Sequence, residues 1–325
     1  MATYLVTGAA GFIGARVSEL LLEQGHTVLG IDNLNEAYDV RIKHWRLKRL
    51  QPLTGFRFYH NDLCDRSALD RLAAENPHID AIINLAARAG VRASLEDPWA
   101  FIDSNTTGTL NLLELAQRNG IGKFVVASTS SIYGANPPYP TPEEADSSHP
   151  LQAYAASKKA AEVLCHAYHH LYHIDVTVFR YFTVYGPAGR PDLAMFRFVQ
   201  RIAEGRPLHV NGDGSQSRGF TYIDDIARGT ILGLKPLGYE VINLGGHESI
   251  TINDLIAMIE EMLGRKAVIQ HHPFHPADMM NNLADVSKAK SMLDWQPQVG
   301  LREGLRNLID WYLAERSWAS QVITE

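Results

Sequence analysis

The chain has 325 residues, 46% of them hydrophobic, and 36 acidic against 30 basic side chains give a net charge of −6. That length supports a full nucleotide-binding domain plus a smaller one. No lysine or arginine block offers a nucleic-acid footprint, no apolar run reaches membrane-spanning length, and a core strand begins almost at once, leaving no room for a signal peptide; a cytoplasmic protein with neither nucleic acid nor membrane as partner is expected.

Strands are predicted at 4–7, 28–31, 56–60, 81–85, 124–127 and 176–181, alternating with helical patterns. Such alternation predicts an α/β fold on a doubly wound parallel sheet. The first strand runs into Gly8-Ala9-Ala10-Gly11-Phe12-Ile13-Gly14 and then the helical pattern of Val17, Leu20 and Leu21. Glycines there allow a sharp turn and a close backbone approach to a pyrophosphate, which sits on the free N–H groups and positive end of the helix. The second strand ends in Asp32, where a carboxylate accepts from the adenosine ribose hydroxyls and repels a 2′-phosphate. NAD rather than NADP is therefore the expected cofactor.

At the carboxyl end of the fifth strand, where ligands bind in open α/β sheets, comes the hydroxyl run Ser128-Thr129-Ser130-Ser131. Tyr154 and Lys158 follow, one helical turn apart and so on one face. A phenol with pKa near ~10 is a poor base unless a positive charge favours the phenolate, and Lys158 is expected to supply that charge. Cys64 and Cys165, in apolar-periodic surroundings, read as small core residues. Histidines 166, 169, 170, 173 and 271, 272, 275 include helical spacings of four, but the inferred chemistry needs no metal and no metal site is expected. From about Tyr185 the pattern loosens, with a loop at 186–192. The expected domains are 1–184, a dinucleotide-binding domain with a return segment near 220–245, and 185–325, mainly a smaller α/β substrate domain.

The Gly-x-x-Gly-x-x-Gly spacing together with Tyr-x-x-x-Lys resembles the extended short-chain dehydrogenase/reductase family over nearly the whole chain. The resemblance implies a Rossmann domain, tightly held NAD with NAD+ as the resting form, and a nucleotide-sugar substrate. It implies that Gly8, Gly11, Phe12, Ile13, Gly14, Asp32, Asn33, Asp62, Leu63, Leu85, Ala86, Ala87, Asn105 and Tyr181 contact the cofactor along with Tyr154 and Lys158. Thr129 would hold the substrate oxygen, Tyr154 would remove its proton, and Lys158 would orient the nicotinamide ribose.

Dehydratases of the family carry Asp-Glu at the places of Ser130 and Ser131, and the related decarboxylases carry glutamate at that of Ser131. With serines at both, hydride removal and return remain, which is epimerisation through a 4-keto sugar that turns over within the site. The runs Arg180 to Asp192, Gly30 to Asn35 with Tyr38-Asp39, and Ala89 to Ser94 resemble the UDP-glucuronate 4-epimerases within the family. This implies a UDP-sugar whose carboxylate meets Thr183, Arg190, Ser130 and Ser131, with Arg92 nearby and Arg218 on the pyrophosphate. A neutral-hexose UDP-glucose 4-epimerase is the alternative, favoured if Arg190 plays no part, although that group usually has asparagine at the place of Thr183. A dinucleotide-sensing regulator is the non-enzyme alternative, although it has no need of Thr129, Tyr154 and Lys158. Arg88, Ala93 and Gly219 depart from the glutamine, tyrosine and aspartate common in the group. The family also implies a homodimer through a four-helix bundle, formed by the helix of Tyr154 and one beginning near Phe101.

Overall fold

Leu5, Val6 and Thr7 are all buried, as are Val28 through Asp32, so these strands show continuous burial rather than alternation. That is what a parallel sheet covered by helices on both faces requires. The computed structural model describes residues 1–273 and 281–324. Its main sheet contains β1 (Thr3–Thr7), β2 (Thr27–Asp32), β3 (Phe56–His60), β4 (Ala81–Asn84), β5 (Lys123–Thr129) and β6 (Asp175–Tyr181). Beyond it follow β7 (Thr183–Tyr185), β8 (Pro207–Asn211), β9 (Ser217–Tyr222), β10 (Tyr239–Leu244), β11 (Ser249–Thr251), β12 (Val268–His272) and β13 (Asn281–Asn282).

The seven-stranded sheet has the order β3-β2-β1-β4-β5-β6-β10, with every neighbouring pair parallel. Its order reverses at β1, so a crevice opens between β1 and β4 above their carboxyl ends. The chain returns to this sheet late: the helix Ile223–Leu232 packs on the helix Phe12–Glu23, and β10 pairs with β6. A second sheet of β11-β9-β13, with β7 joined to β9, and the pair β8-β12 form the remaining β layer.

Three expectations need correction. β5 runs on to Thr129, which is extended (φ −152°, ψ 149°) and paired with Tyr181, so Ser128 and Thr129 belong to the strand and the turn starts at Ser130. Cys64 is exposed, its Sγ 3.4 Å from the Asp103 carbonyl oxygen, whereas Cys165 is fully buried. Tyr181 turns its ring into the core, stacked on Phe179, with its hydroxyl 2.7 Å from Thr230 Oγ1. That side chain is therefore structural, and only its backbone remains near the crevice.

Candidate active site

The glycine loop is built by exclusion. Gly8 adopts φ +68°, and a Cβ there would lie 2.9 Å from the Ala86 backbone. A Cβ at Gly11 would approach the Gly8 carbonyl oxygen to 2.8 Å, and one at Gly14 to 2.1 Å. Only three glycines permit this turn, closed by the Gly11 N–H donating to Gly8 O at 2.8 Å. No side chain caps the helix Phe12–Glu23 that follows, so its amino end is left for an anion. Phe12 is buried beneath it and Ile13 is half-buried.

Asp32 at the end of β2 is buried and accepts from the Ala10 N–H (3.2 Å) and the Leu34 N–H (2.8 Å). Beside it, Asn33 Nδ2 donates to Asp62 Oδ2 at 2.7 Å, and Leu63 is buried against Gly108. On the opposite wall the Thr7 hydroxyl donates to Asn84 Oδ1 and accepts from the N–H groups of Leu85 and Ala86, both at 3.1 Å. This holds Leu85, Ala86 and Ala87, all half-buried, along the crevice. Asn105 is spent on structure: its Oδ1 accepts from Arg88 N, and its Nδ2 donates to Arg88 O and Ser157 Oγ, each at 2.9 Å. It sits in a π-helical turn, Ile102–Thr107, where the extra residue per turn lets Asn105 and Thr106 both reach Ser157. Asn105 thus ties the crevice wall to the helix that carries Tyr154. The cradle and the ribose-side carboxylate fit a dinucleotide.

That helix, Ala153–Tyr172, opens with small alanines and buries Ala155, Lys158, Ala161, Glu162 and Cys165 on one stripe. Lys158, almost fully buried, donates to the Ala127 carbonyl oxygen at 2.8 Å, and burial pushes its pKa down to about 8. Tyr154 packs edge-on to Phe101, ring centroids 6.0 Å apart. Burial raises its pKa, opposed by hydrogen bonding with the Thr129 hydroxyl and by the charge of Arg190. Lys158 points its ammonium at a main-chain oxygen, and the charge of Arg190 also favours the phenolate. Thr129 Oγ1 accepts from Ser131 N at 3.2 Å and lies 3.3 Å from Ser131 Oγ.

On the sugar side, Arg190 pairs with Asp192 through Nε (3.1 Å) and Nη2, and Nη2 also donates to Ala89 O at 3.1 Å. Ser130 is buried 3.4 Å from Asn282 Nδ2, and Thr183 opens β7 half-buried. Arg92 lies exposed before the short helix Ala93–Glu96, and Arg218 lies in β9 between Ile250 and Asn282. A Cβ at Gly219 would come 2.8 Å from Leu283 Cδ1, so an aspartate does not fit there without displacing Leu283. Arg88 lies over the Phe101 ring at 6.0 Å, and Ala93 is exposed. Among the described residues no group of three or more His, Cys, Asp or Glu side chains could hold a metal ion, and His275 lies outside them.

Sequence reasoning passed over Glu162, Arg180 and Arg46. Glu162 accepts from Ser128 Oγ at 2.6 Å and from Arg180 Nε and Nη2 at 3.0 and 2.9 Å, a buried ion pair directly behind β5. Glu162 continues the four-residue spacing of Tyr154 and Lys158, which was the one available signal.

An open parallel sheet with a glycine cradle at its switch point and a Thr-Tyr-Lys constellation across the crevice defines a dinucleotide-dependent enzyme. The chain belongs to the NAD dependent epimerase/dehydratase family, whose model matches residues 4–245. It is 55% identical over 313 residues to a UDP-glucuronate 4-epimerase of Thermodesulfobacterium geofontis, covering 96% of each chain. Among solved structures it is similar to a UDP-glucuronic acid 4-epimerase of Bacillus cereus in complex with UDP-glucuronic acid and NAD, at 37% identity and TM-score 0.90, covering 96% of this chain and 99% of that one. It is also similar to a UDP-glucose 4-epimerase of Thermotoga maritima with UDP-glucose, at 31% identity and TM-score 0.89, covering 97% and 99%.

Proposed function

We propose that this chain interconverts UDP-glucuronate and UDP-galacturonate by epimerisation at C4. The observation that carries the reading is the Arg190 guanidinium, tied to Ala89 O and Asp192 and with its charge acting on Tyr154, in a chain where Ser130 and Ser131 stand in place of an acid and a base. The 55% identity to a UDP-glucuronate 4-epimerase supports the same substrate.

Gly8, Gly11, Gly14, Asp32, Asn33 and Asp62 would hold the adenosine and pyrophosphate half of NAD, with Leu85, Ala86 and Ala87 along its path. NAD supplies the acceptor, and later the donor, of the C4 hydride. Thr129 would hold the C4 oxygen and Tyr154 would take its proton, returning it once the sugar has turned over. Lys158 would swing its donors from Ala127 O to the ribose hydroxyls. Arg190 has no partner at Nη1 among the described residues, and that donor would meet the sugar carboxylate, with Thr183, Ser130 and Ser131 adding hydroxyls. Arg92 and Arg218 would serve the nucleotide phosphates. A homodimer and a cytoplasmic location belong to the same proposal; no helix among the described residues is long and apolar enough to cross a membrane.

The test is incubation of the pure protein, without added reductant, with UDP-glucuronate or UDP-glucose, followed by ion-exchange separation and mass detection. Isomass conversion of UDP-glucuronate well ahead of UDP-glucose is expected. Preferred turnover of UDP-glucose would overturn the carboxylate pocket, and loss of carbon dioxide or water would overturn epimerisation.

A further inference from the structure

Arg46, on the helix Arg41–Leu50, is only 3% exposed, and among the described residues no carboxylate pairs with it. Its donors go elsewhere: Nε and Nη2 both donate to the Ala188 carbonyl oxygen, at 3.0 and 2.6 Å. Nη1 donates to the Ala10 carbonyl oxygen at 3.1 Å and to the Tyr38 hydroxyl at 2.9 Å. The guanidinium also lies over the rings of Phe12 (5.6 Å) and Tyr38 (5.8 Å). One side chain thus joins the glycine loop at Ala10 to the 186–192 loop at Ala188.

Both attachment points matter. Ala188 adopts φ +51°, a left-handed conformation that an alanine holds only when its surroundings impose it. Ala188 lies in the turn closed by Gly189 N donating to Gly186 O, with two Arg46 donors on its carbonyl oxygen, and Arg190 follows two residues later. At the other end, fixing the Ala10 carbonyl toward Arg46 steadies the turn that leads into the uncapped first turn of the helix Phe12–Glu23. The buried charge is met by two carbonyl oxygens, the Tyr38 hydroxyl and two aromatic faces rather than by a carboxylate.

We propose that Arg46 is a positioning residue for epimerisation, coupling the dinucleotide loop to the 186–192 loop so that Arg190 is held in register with the sugar. This rests on the reading of Arg190 given above. Lysine keeps the charge but lacks the fork that grips Ala188 and Ala10 together. In Arg46→Lys the KM for UDP-glucuronate is expected to rise about tenfold, the scale of one lost charge-assisted hydrogen bond, with kcat changed far less. NAD retained after gel filtration should stay near the parent level, while the rise in Tm on adding UDP-glucuronate to the NAD-loaded protein should shrink.

The decisive measurement is the cycle with Arg190→Ala: if Arg46 acts through Arg190, Arg46→Lys adds little to KM once Arg190 is gone. A KM rise as large in the Arg190→Ala background as in the parent overturns the coupling, as does an unchanged KM. Should Arg46→Lys fail to fold, Ala188→Gly loosens the same loop from its other side, since glycine takes positive φ freely. It should raise KM in the same non-additive way, and an unchanged KM there is equally fatal. The parent protein's own preference separates the two readings: if it favours UDP-glucose, the carboxylate pocket has failed, and the same cycle is read with that sugar.

Discussion

Tyr154 and Lys158 sit on one helical turn, yet their protons answer to different neighbours. Burial raises the Tyr154 phenol, and the Thr129 hydroxyl pulls it back. Thr129→Val is expected to raise the Tyr154 pKa further, moving the acid limb of the kcat/KM profile to higher pH and lowering its plateau on the order of 10²-fold. A pH-rate series on the pure variant checks this; an unmoved acid limb would remove Thr129 from the proton path. For Lys158, burial lowers the pKa from 10.5 to about 8, so the folded, NAD-free protein binds fewer protons than the unfolded chain between those values. Stability must then rise with pH from about 8 toward 10.5, by roughly 3 kcal/mol from this one group. Urea titrations of stripped protein should show that rise in the parent and its loss in Lys158→Met. Arg190 has its own signature. A 4-keto glucuronate is a β-keto acid, and if Arg190 keeps its carboxylate bond out of line with the ketone, Arg190→Ala should release more UDP-pentose than the parent, read by mass detection.

At the scale of elements, what was legible in the sequence was local. The glycine turn, the acid at the end of β2 and the Tyr-Lys pair each declare themselves within a few residues, because backbone exclusion and helical spacing act at short range. The rest depends on partners brought together by the sheet. Arg46 grips Ala188 across 142 positions, and Tyr181 spends its hydroxyl on Thr230 across 49. Thr129 reads as a turn residue in isolation and becomes strand because β6 extends far enough to pair with it. Glu162 and Arg180 are the clearest instance: each is nearly solvent-free, and together they brace β5 and β6 against the helix Ala153–Tyr172. Glu162→Gln leaves a buried guanidinium without its counter-charge, and a loss of about 3–5 kcal/mol in denaturant unfolding is expected. A change below about 1 kcal/mol would mean the pair is relaxed by solvent that the packing excludes.

The whole molecule poses a question of covering. The helix Ala153–Tyr172 turns Lys158 and Glu162 toward the main sheet, and its other side carries Val163, Ala167 and Leu171 at four-residue spacing, with Val163 59% and Leu171 62% exposed. It runs alongside the helical stretch from Pro98 to Arg118 in the same direction, since Asn105 meets Ser157 and Glu114 meets Tyr168. That neighbour exposes Trp99 (75%) and Ile102, and Leu95 (59%) stands one turn before Trp99. Exposed apolar residues on both helices of a packed pair are what a further helix pair could cover. A two-fold axis across this pair would bury the stripe of each copy against the other as a four-helix bundle. Light scattering on the parent is then expected to give twice the chain mass, with a Tm that rises with protein concentration as mass action requires. Leu171→Glu combined with Trp99→Asp should give a monomer with a concentration-independent Tm. Because the stripe lies on the face opposite Lys158, that monomer should keep its NAD through gel filtration. A parent that runs as a monomer at micromolar concentration would refute the bundle, whereas a monomeric variant that sheds its NAD would mean that the second copy braces the catalytic helix from behind.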